Sequence, residues 1–217
     1  MKRYDAVVFD WDGTLMDSTH HIVSALQGAC RDLDLPIPTA EQAAWVIGLS
    51  IESALYRLVP DMDERQMEAF SERYRDHYLR QDGGLMLFTG VAPFLTDLHA
   101  RGVVLGVATG KSRRGLDRAL DTLALRPLFR ATRCADEAAG KPDPAMLEQL
   151  LQEFSLAPDQ VLMVGDTSHD IWMARNAGVD SLAVSYGAHP RQTLGEAEPT
   201  ALVSSVGDMQ AWVRARV

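Results

Sequence analysis

The chain has 217 residues, 47% of them apolar, with 30 Asp and Glu against 21 Lys and Arg and a net charge of −9. That apolar share excludes disorder as the main state, and the acidic balance excludes a basic face for nucleic acid and electrostatic docking on anionic membranes. At about 150 residues per domain the length corresponds to one domain and roughly half of another, and an anionic ligand would need a local cation against the global sign.

Near the start, Lys2 and Arg3 precede only the short apolar run Ala6-Val7-Val8-Phe9. A secretory apolar region needs about 7–15 residues and a membrane span about 18, so the expectation is a cytoplasmic protein. Cys30 and Cys134 fit no metal spacing and no disulfide framework, and are expected as buried thiols in a reducing compartment. The run 6–9 predicts a buried strand. It ends in Asp10-Trp11-Asp12-Gly13-Thr14, two carboxylates two residues apart where open α/β sheets bind ligands. A capping turn is the plainer reading of Asp-Gly.

Residues 17–88 show no convincing strand. Ile22, Leu26, Ala29 and Leu33 fall at helical spacing, and the segment 63–81 is charged on one face. Turn signals at Pro36-Ile37-Pro38 and Asp82-Gly83-Gly84 divide the stretch. Roughly 70 residues exceed one crossover, which predicts a separate helical subdomain inserted after the first strand.

A second apolar run, 103–108, leads into Thr109-Gly110-Lys111-Ser112, a hydroxyl and backbone N–H groups suited to an anion. Residues 106–112 mimic a nucleotide-binding P-loop but are one residue short between the glycines. Ala131 to Cys134 predicts a further strand, followed by Gly140-Lys141-Pro142-Asp143-Pro144. There Lys141 is either a solvated lysine or a cation directed into an acidic site. The run 161–164 ends in Gly165-Asp166-Thr167-Ser168-His169-Asp170. Asp170 is either a helix cap or a site residue. Weaker strands are expected at 182–184 and 201–203, and helices at about 113–124, 143–154, 168–177 and 207–216. Short strands alternating with helices predict an α/β domain with a parallel sheet. Its acidic strand ends would gather carboxylates that need a cation, and all-oxygen ligands suit Mg²⁺.

In their order and types these motifs resemble the phosphatase branch of the haloacid dehalogenase (HAD) superfamily over nearly the whole chain. Asp10-Trp11-Asp12-Gly13-Thr14 matches D-x-D-G-T, Thr109 the Ser/Thr at the second strand end, Lys141 the lysine, and Asp166 with Asp170 the G-D-x-x-x-D motif. The resemblance implies a Rossmann-like core over 1–15 and 89–217 and a C1-type helical cap over 16–88. It also implies a mechanism. Asp10 would be the nucleophile, forming an aspartyl-phosphate. Asp12 would be the acid and base. Mg²⁺ would be held by the Asp10 and Asp166 carboxylates and the Asp12 carbonyl. Thr109, Gly110 and Lys141 would hold the phosphoryl oxygens, with Asp170 orienting metal waters or Lys141.

Asp12 at the acid/base position argues against dehalogenase and ion-pump branches, and the absence of lysine between 16 and 88 argues against a Schiff-base phosphonate hydrolase. Trp11, where Leu is commoner, is expected beneath the loop. The chain looks like a phosphoglycolate phosphatase, which implies a small phosphate ester as substrate, 2-phosphoglycolate leading, and a monomer or homodimer. A β-phosphoglucomutase-like mutase, a pyrophosphatase or nucleotidase, and a silent binding module are the alternatives. Candidate selectors are the 46–50 segment with Gly48, Arg57, Lys111, the pair His20 and His21, and Arg113 and Arg114.

Overall fold

The computed structural model describes residues 3–60, 62–80 and 86–217. Six strands, β1 (Ala6–Phe9), β2 (Val104–Thr109), β3 (Ala131–Cys134), β4 (Val161–Gly165), β5 (Asp180–Val184) and β6 (Ala201–Val203), pair in parallel in the order β3-β2-β1-β4-β5-β6. Phe9 pairs with Val107 on one side and Val164 on the other. Of the strands expected from sequence, 6–9 is framed to the residue, as are the weaker 131–134 and 201–203.

Alternation along the strands sends side chains to opposite faces. Val7, Phe9, Leu105, Val107, Leu162 and Val164 pack on α5 (Val91–Ala100), α6 (Arg113–Thr122) and α10 (Val206–Arg214). Ala6, Val8, Ala108 and Met163 pack on α7 (Ala145–Phe154) and α8 (Ser168–Asn176). Helices cover both faces, which is why the central strands β1 and β4 read as apolar runs. Gly106 has a packing reason: a Cβ there would come 2.9 Å from Cζ of Phe154. It serves the α7 contact, in keeping with the failed P-loop match.

Between β1 and α5 run α1 (Thr19–Asp32), α2 (Ala40–Trp45), α3 (Ile51–Leu58) and α4 (Glu64–Arg80). They enclose their own core, in which Ile22, Leu26, Ala29 and Cys30 of α1 meet Leu55, Phe70 and Tyr78. The chain leaves the sheet and returns to it side by side. Asp17 N–H donates to the Met86 carbonyl at 2.9 Å, and Phe88 N–H to that of Leu15 at 3.0 Å. Lys2 and the Asp82-Gly83-Gly84 turn lie outside the described residues.

No helix is expected from sequence at 91–100, yet α5 runs there. Pro93 stands in its first turn, where its missing N–H breaks no helical bond. A short α9 (Arg191–Glu196) is likewise unanticipated. Both thiols are buried and free. Among the described residues no helix is long and apolar enough to cross a membrane.

Candidate active site

The strand order reverses on either side of β1, and ligands of open α/β sheets bind outside the carboxyl ends at such a switch point. Asp10 follows β1 there, its N–H donating to the Val164 carbonyl at 2.9 Å. Lys141 is buried, so it is not a surface lysine. Its Nζ lies 2.7 Å from Asp10 Oδ1 and 2.6 Å from Asp170 Oδ1. Asp170 serves both of its sequence readings, one per oxygen. Its Oδ2 accepts from Thr167 N–H at 3.0 Å and from Thr167 Oγ1 at 2.7 Å, capping α8, while Oδ1 faces Lys141.

Asp166 is held at both oxygens. Thr14 Oγ1 donates to Oδ1 and Ala188 N–H to Oδ2, each at 2.7 Å. Gly13 has φ +82°, and a Cβ there or on Gly187 would lie 2.2 Å from Asp166 Oδ2. Only glycine at both positions lets the two loops close on this carboxylate.

Asp10, Asp166 and Asp170 each offer one carboxylate oxygen, all within 4.8 Å of one another and all buried. Burial pushes the Asp10 carboxyl well above the usual range, with Asp170 and Asp166 adding to the push and Lys141 opposing it. Burial and the charge of Asp170 push Asp166 up to about 7. At Lys141 burial disfavours the charge, but Asp10 and Asp170 outweigh it and raise the pKa. Asp10 Oδ2 is buried and accepts no hydrogen bond among the described residues. An orphaned oxygen in an all-oxygen cluster, with one ammonium against three carboxylates, fits a hard divalent cation.

The Asp12 side chain points elsewhere. Ser18 Oγ donates to its Oδ1 at 2.7 Å, and Lys111 Nζ lies 3.0 and 2.9 Å from its two oxygens. The same Nζ donates to Tyr78 Oη of α4 at 3.0 Å. Burial disfavours the Lys111 charge, and Asp12 with Tyr78 and Tyr74 reverses this, raising the pKa. The segment 46–50 lies over the carboxyl ends of β2 and β4. A Cβ on Gly110 would meet the carbonyl oxygens of Leu49 and Gly48 at 2.4 and 2.5 Å. One on Gly48, whose φ is +89°, would meet Thr167 Oγ1 at 3.2 Å. The site is therefore closed: Asp10 is 1% exposed, Asp12 6% and Thr109 1%.

The family model of the haloacid dehalogenase-like hydrolases matches residues 7–184. The chain belongs to this family. Probable phosphatase IndB of Dickeya dadantii is 34% identical over 209 residues, 94% of this chain and 90% of IndB. The phosphoglycolate phosphatase of Aliivibrio fischeri is 33% identical over 89% of each chain. The tyrosine-protein kinase PtkA of Mycobacterium tuberculosis is 31% identical over 83% of this chain but 62% of its own length. A hydrolase from Pseudomonas syringae has the same fold, with TM-score 0.86 at 23% identity over 97% of this chain and 98% of that one.

In this HAD hydrolase the structure brings Asp10, Lys141, Asp166 and Asp170 into one cluster and Asp12 with Lys111 beside it. Trp11 is fully buried against Phe129. Other candidates lie apart. His20 is exposed on α1. Arg57 is exposed on α3. Arg113 is committed to Glu137 at 2.7 Å and Asp117 at 3.2 Å. Sequence reasoning missed Tyr78, Ser18 and Gly187, and also His169 and His189, which both donate Nε2–H to the Trp45 carbonyl at 3.0 Å. Only His169 carried a signal, its place inside the acidic motif of β4.

Proposed function

We propose that this chain hydrolyses a small-metabolite phosphomonoester, 2-phosphoglycolate being the leading candidate, with Mg²⁺ and through an aspartyl-phosphate. The observation that carries the reading is the buried Asp10, with one oxygen on Lys141 and the other orphaned beside Asp166. The names of the A. fischeri and D. dadantii relatives support it.

In this reading the Asp10 and Asp166 carboxylates and the Asp12 carbonyl would hold Mg²⁺, which would supply the charge that shields the attacking carboxylate from the phosphate. Asp10 attacks phosphorus in line, and the bond from phosphorus to the ester oxygen breaks as Asp12 gives that oxygen a proton. Asp12 then takes a proton from water, whose oxygen attacks phosphorus and frees Asp10 with release of phosphate. Thr109, the Gly110 N–H and Lys141 hold the phosphoryl oxygens, and Asp170 positions Lys141. Residues 16–88 act as the cap over this core of 1–15 and 89–217, with Gly48 in its covering segment.

Phosphate release from 2-phosphoglycolate and from an aryl phosphate, with Mg²⁺ and with chelator, tests the reading, with Asp10→Asn as control. Turnover in Asp10→Asn equal to wild type excludes Asp10 as nucleophile. The closure of the site also suits phosphoryl transfer to a second hydroxyl. Conversion of a hexose 1-phosphate to the 6-phosphate would favour that mutase reading.

A further inference from the structure

The site holds two buried lysines in different places. Lys141 lies on the nucleophile, between Asp10 and Asp170. Lys111 lies on the opposite carboxylate, bridging both oxygens of Asp12 at 2.9 and 3.0 Å, with its side chain 12% exposed. Its other neighbours come from α4: the Tyr78 hydroxyl at 3.0 Å and the Tyr74 phenol. No second carboxylate faces it among the described residues. The nearby Arg113 is held by Glu137 and Asp117.

Asp12 is the group that meets the ester oxygen in the proposed reaction, so whatever flanks Asp12 flanks the leaving group. An ester oxygen that takes a place at Asp12 competes with Lys111 for its carboxylate. A buried ammonium that loses part of its one anionic partner among the described residues needs another. An anion carried by the leaving group, one or two carbons from the ester oxygen, meets that need within the same few ångströms.

We propose that Lys111, with the Tyr78 hydroxyl beside it, is a specificity residue that selects phosphate esters whose leaving group carries a carboxylate close to the ester oxygen. This rests on the phosphatase reading above and adds the residue that reads the leaving group's charge. Tyr78 belongs to α4, so the charge-reading pocket is complete only while the helical block is closed on the sheet.

The test compares kcat/KM for 2-phosphoglycolate with that for 2-hydroxyethyl phosphate, an ester of similar size with a neutral leaving group. The enzymes are wild type, Lys111→Met and Lys111→Arg. Wild type is expected to favour the carboxylate ester by about 10- to 100-fold, the span of a charge-assisted hydrogen bond in a buried site. Lys111→Met should bring that ratio near one, and Lys111→Arg should keep most of it. A wild-type ratio near one, or a Lys111→Met ratio equal to wild type, overturns the proposal while aryl phosphate turnover leaves the phosphatase reading standing. Absence of turnover on both esters and on the aryl phosphate overturns both. If Lys111→Met does not fold, the wild-type ratio and Lys111→Arg decide.

Discussion

The imidazole of His189 lies flat on the indole of Trp45, ring centroids 4.5 Å apart and planes 5° from parallel. The Trp45 carbonyl accepts from Nε2 of both His189 and His169, each at 3.0 Å. His189 Nδ1 accepts from Ser168 N–H, so its proton sits on Nε2. Trp45 ends α2, and the segment 46–50 that covers the site starts one residue later. This contact moors the covering segment to the sheet domain. Losing one hydrogen bond and one ring stack costs about 1–2.5 kcal/mol. His189→Ala is therefore expected to raise hydrogen exchange over residues 40–58 by roughly tenfold, with β1 and β4 unchanged. Equal protection in the variant would show that the mooring lies elsewhere.

Acid should act on the same contact. Burial lowers the pKa of His169 from 6.5 to about 4. A group with a depressed folded pKa contributes stability above its unfolded value, and this is lost as pH falls through the folded one. Exchange over 40–58 should thus rise between pH 6.5 and 4. His169→Gln, which cannot titrate there, should reduce that rise without removing it, because burial also lowers the pKa of His189 on the same carbonyl.

Lys141 keeps two buried carboxylates apart, and removing one partner of a buried ion pair costs about 3–5 kcal/mol. Lys141→Met should lose that much stability in denaturant unfolding, along with its turnover. A loss under about 1 kcal/mol would mean that Asp10 and Asp170 tolerate each other without the ammonium.

How far this site was readable from sequence follows from what each contact needs. The central strands β1 and β4 are short apolar runs buried on both faces, and Asp10 and Asp166 stand directly at their ends, so position along the chain gives position in space. Lys141 and Asp170 could not be assigned alone, because a surface lysine and a capping acid look the same in sequence. Three-dimensional proximity shows what sequence cannot, the two side chains buried 2.6 Å apart. The mooring of Trp45 was invisible, because a backbone carbonyl has no sequence signature and its two donors stand 20 positions apart. Tyr78 reads as one more apolar position of α4, yet both its hydroxyl and its ring face reach Lys111. His20 and His21 drew notice as a pair, but the helical phase of α1 leaves His20 in solvent.

Metal should stabilise the protein in a pH-dependent way. Asp10 and Asp166 have raised folded pKa values, Asp166 near 7. Their protonation favours the metal-free fold below the unfolded value of 3.8, and the Asp166 part of this contribution is lost as pH rises through about 7. A cation binds the ionised form, so at pH 8 it displaces little proton from Asp166, whereas at pH 5.5 it must. Mg²⁺ at a hundredfold excess over its Kd at pH 8 should raise Tm by about 5–10 °C. The same concentration should raise it by less than half as much at pH 5.5. Asp166→Asn should abolish the difference. Equal shifts at both pH values would place the metal away from this cluster.

The closeness of Gly110 to the covering segment gives the sharpest steric test. A Cβ at Gly110 would stand 2.4 Å from the Leu49 carbonyl oxygen and 2.5 Å from that of Gly48. Both are backbone atoms and cannot swing aside as a flexible side chain would. Gly110→Ala must therefore displace the 46–50 segment as a whole, at a cost of about 1–3 kcal/mol. The displacement opens the site on the face that the proposed reaction assigns to the phosphoryl group. Turnover of a small ester should fall at least tenfold in kcat/KM, and exchange over 46–50 should rise. Gly195→Ala is the matched control, since a Cβ there meets nothing within 4 Å and the residue lies in α9. It should leave kinetics unchanged and stabilise the fold by about 0.5–1 kcal/mol. Normal kinetics in Gly110→Ala would mean that the covering segment is already displaced during turnover, and that its close approach belongs to the resting state alone.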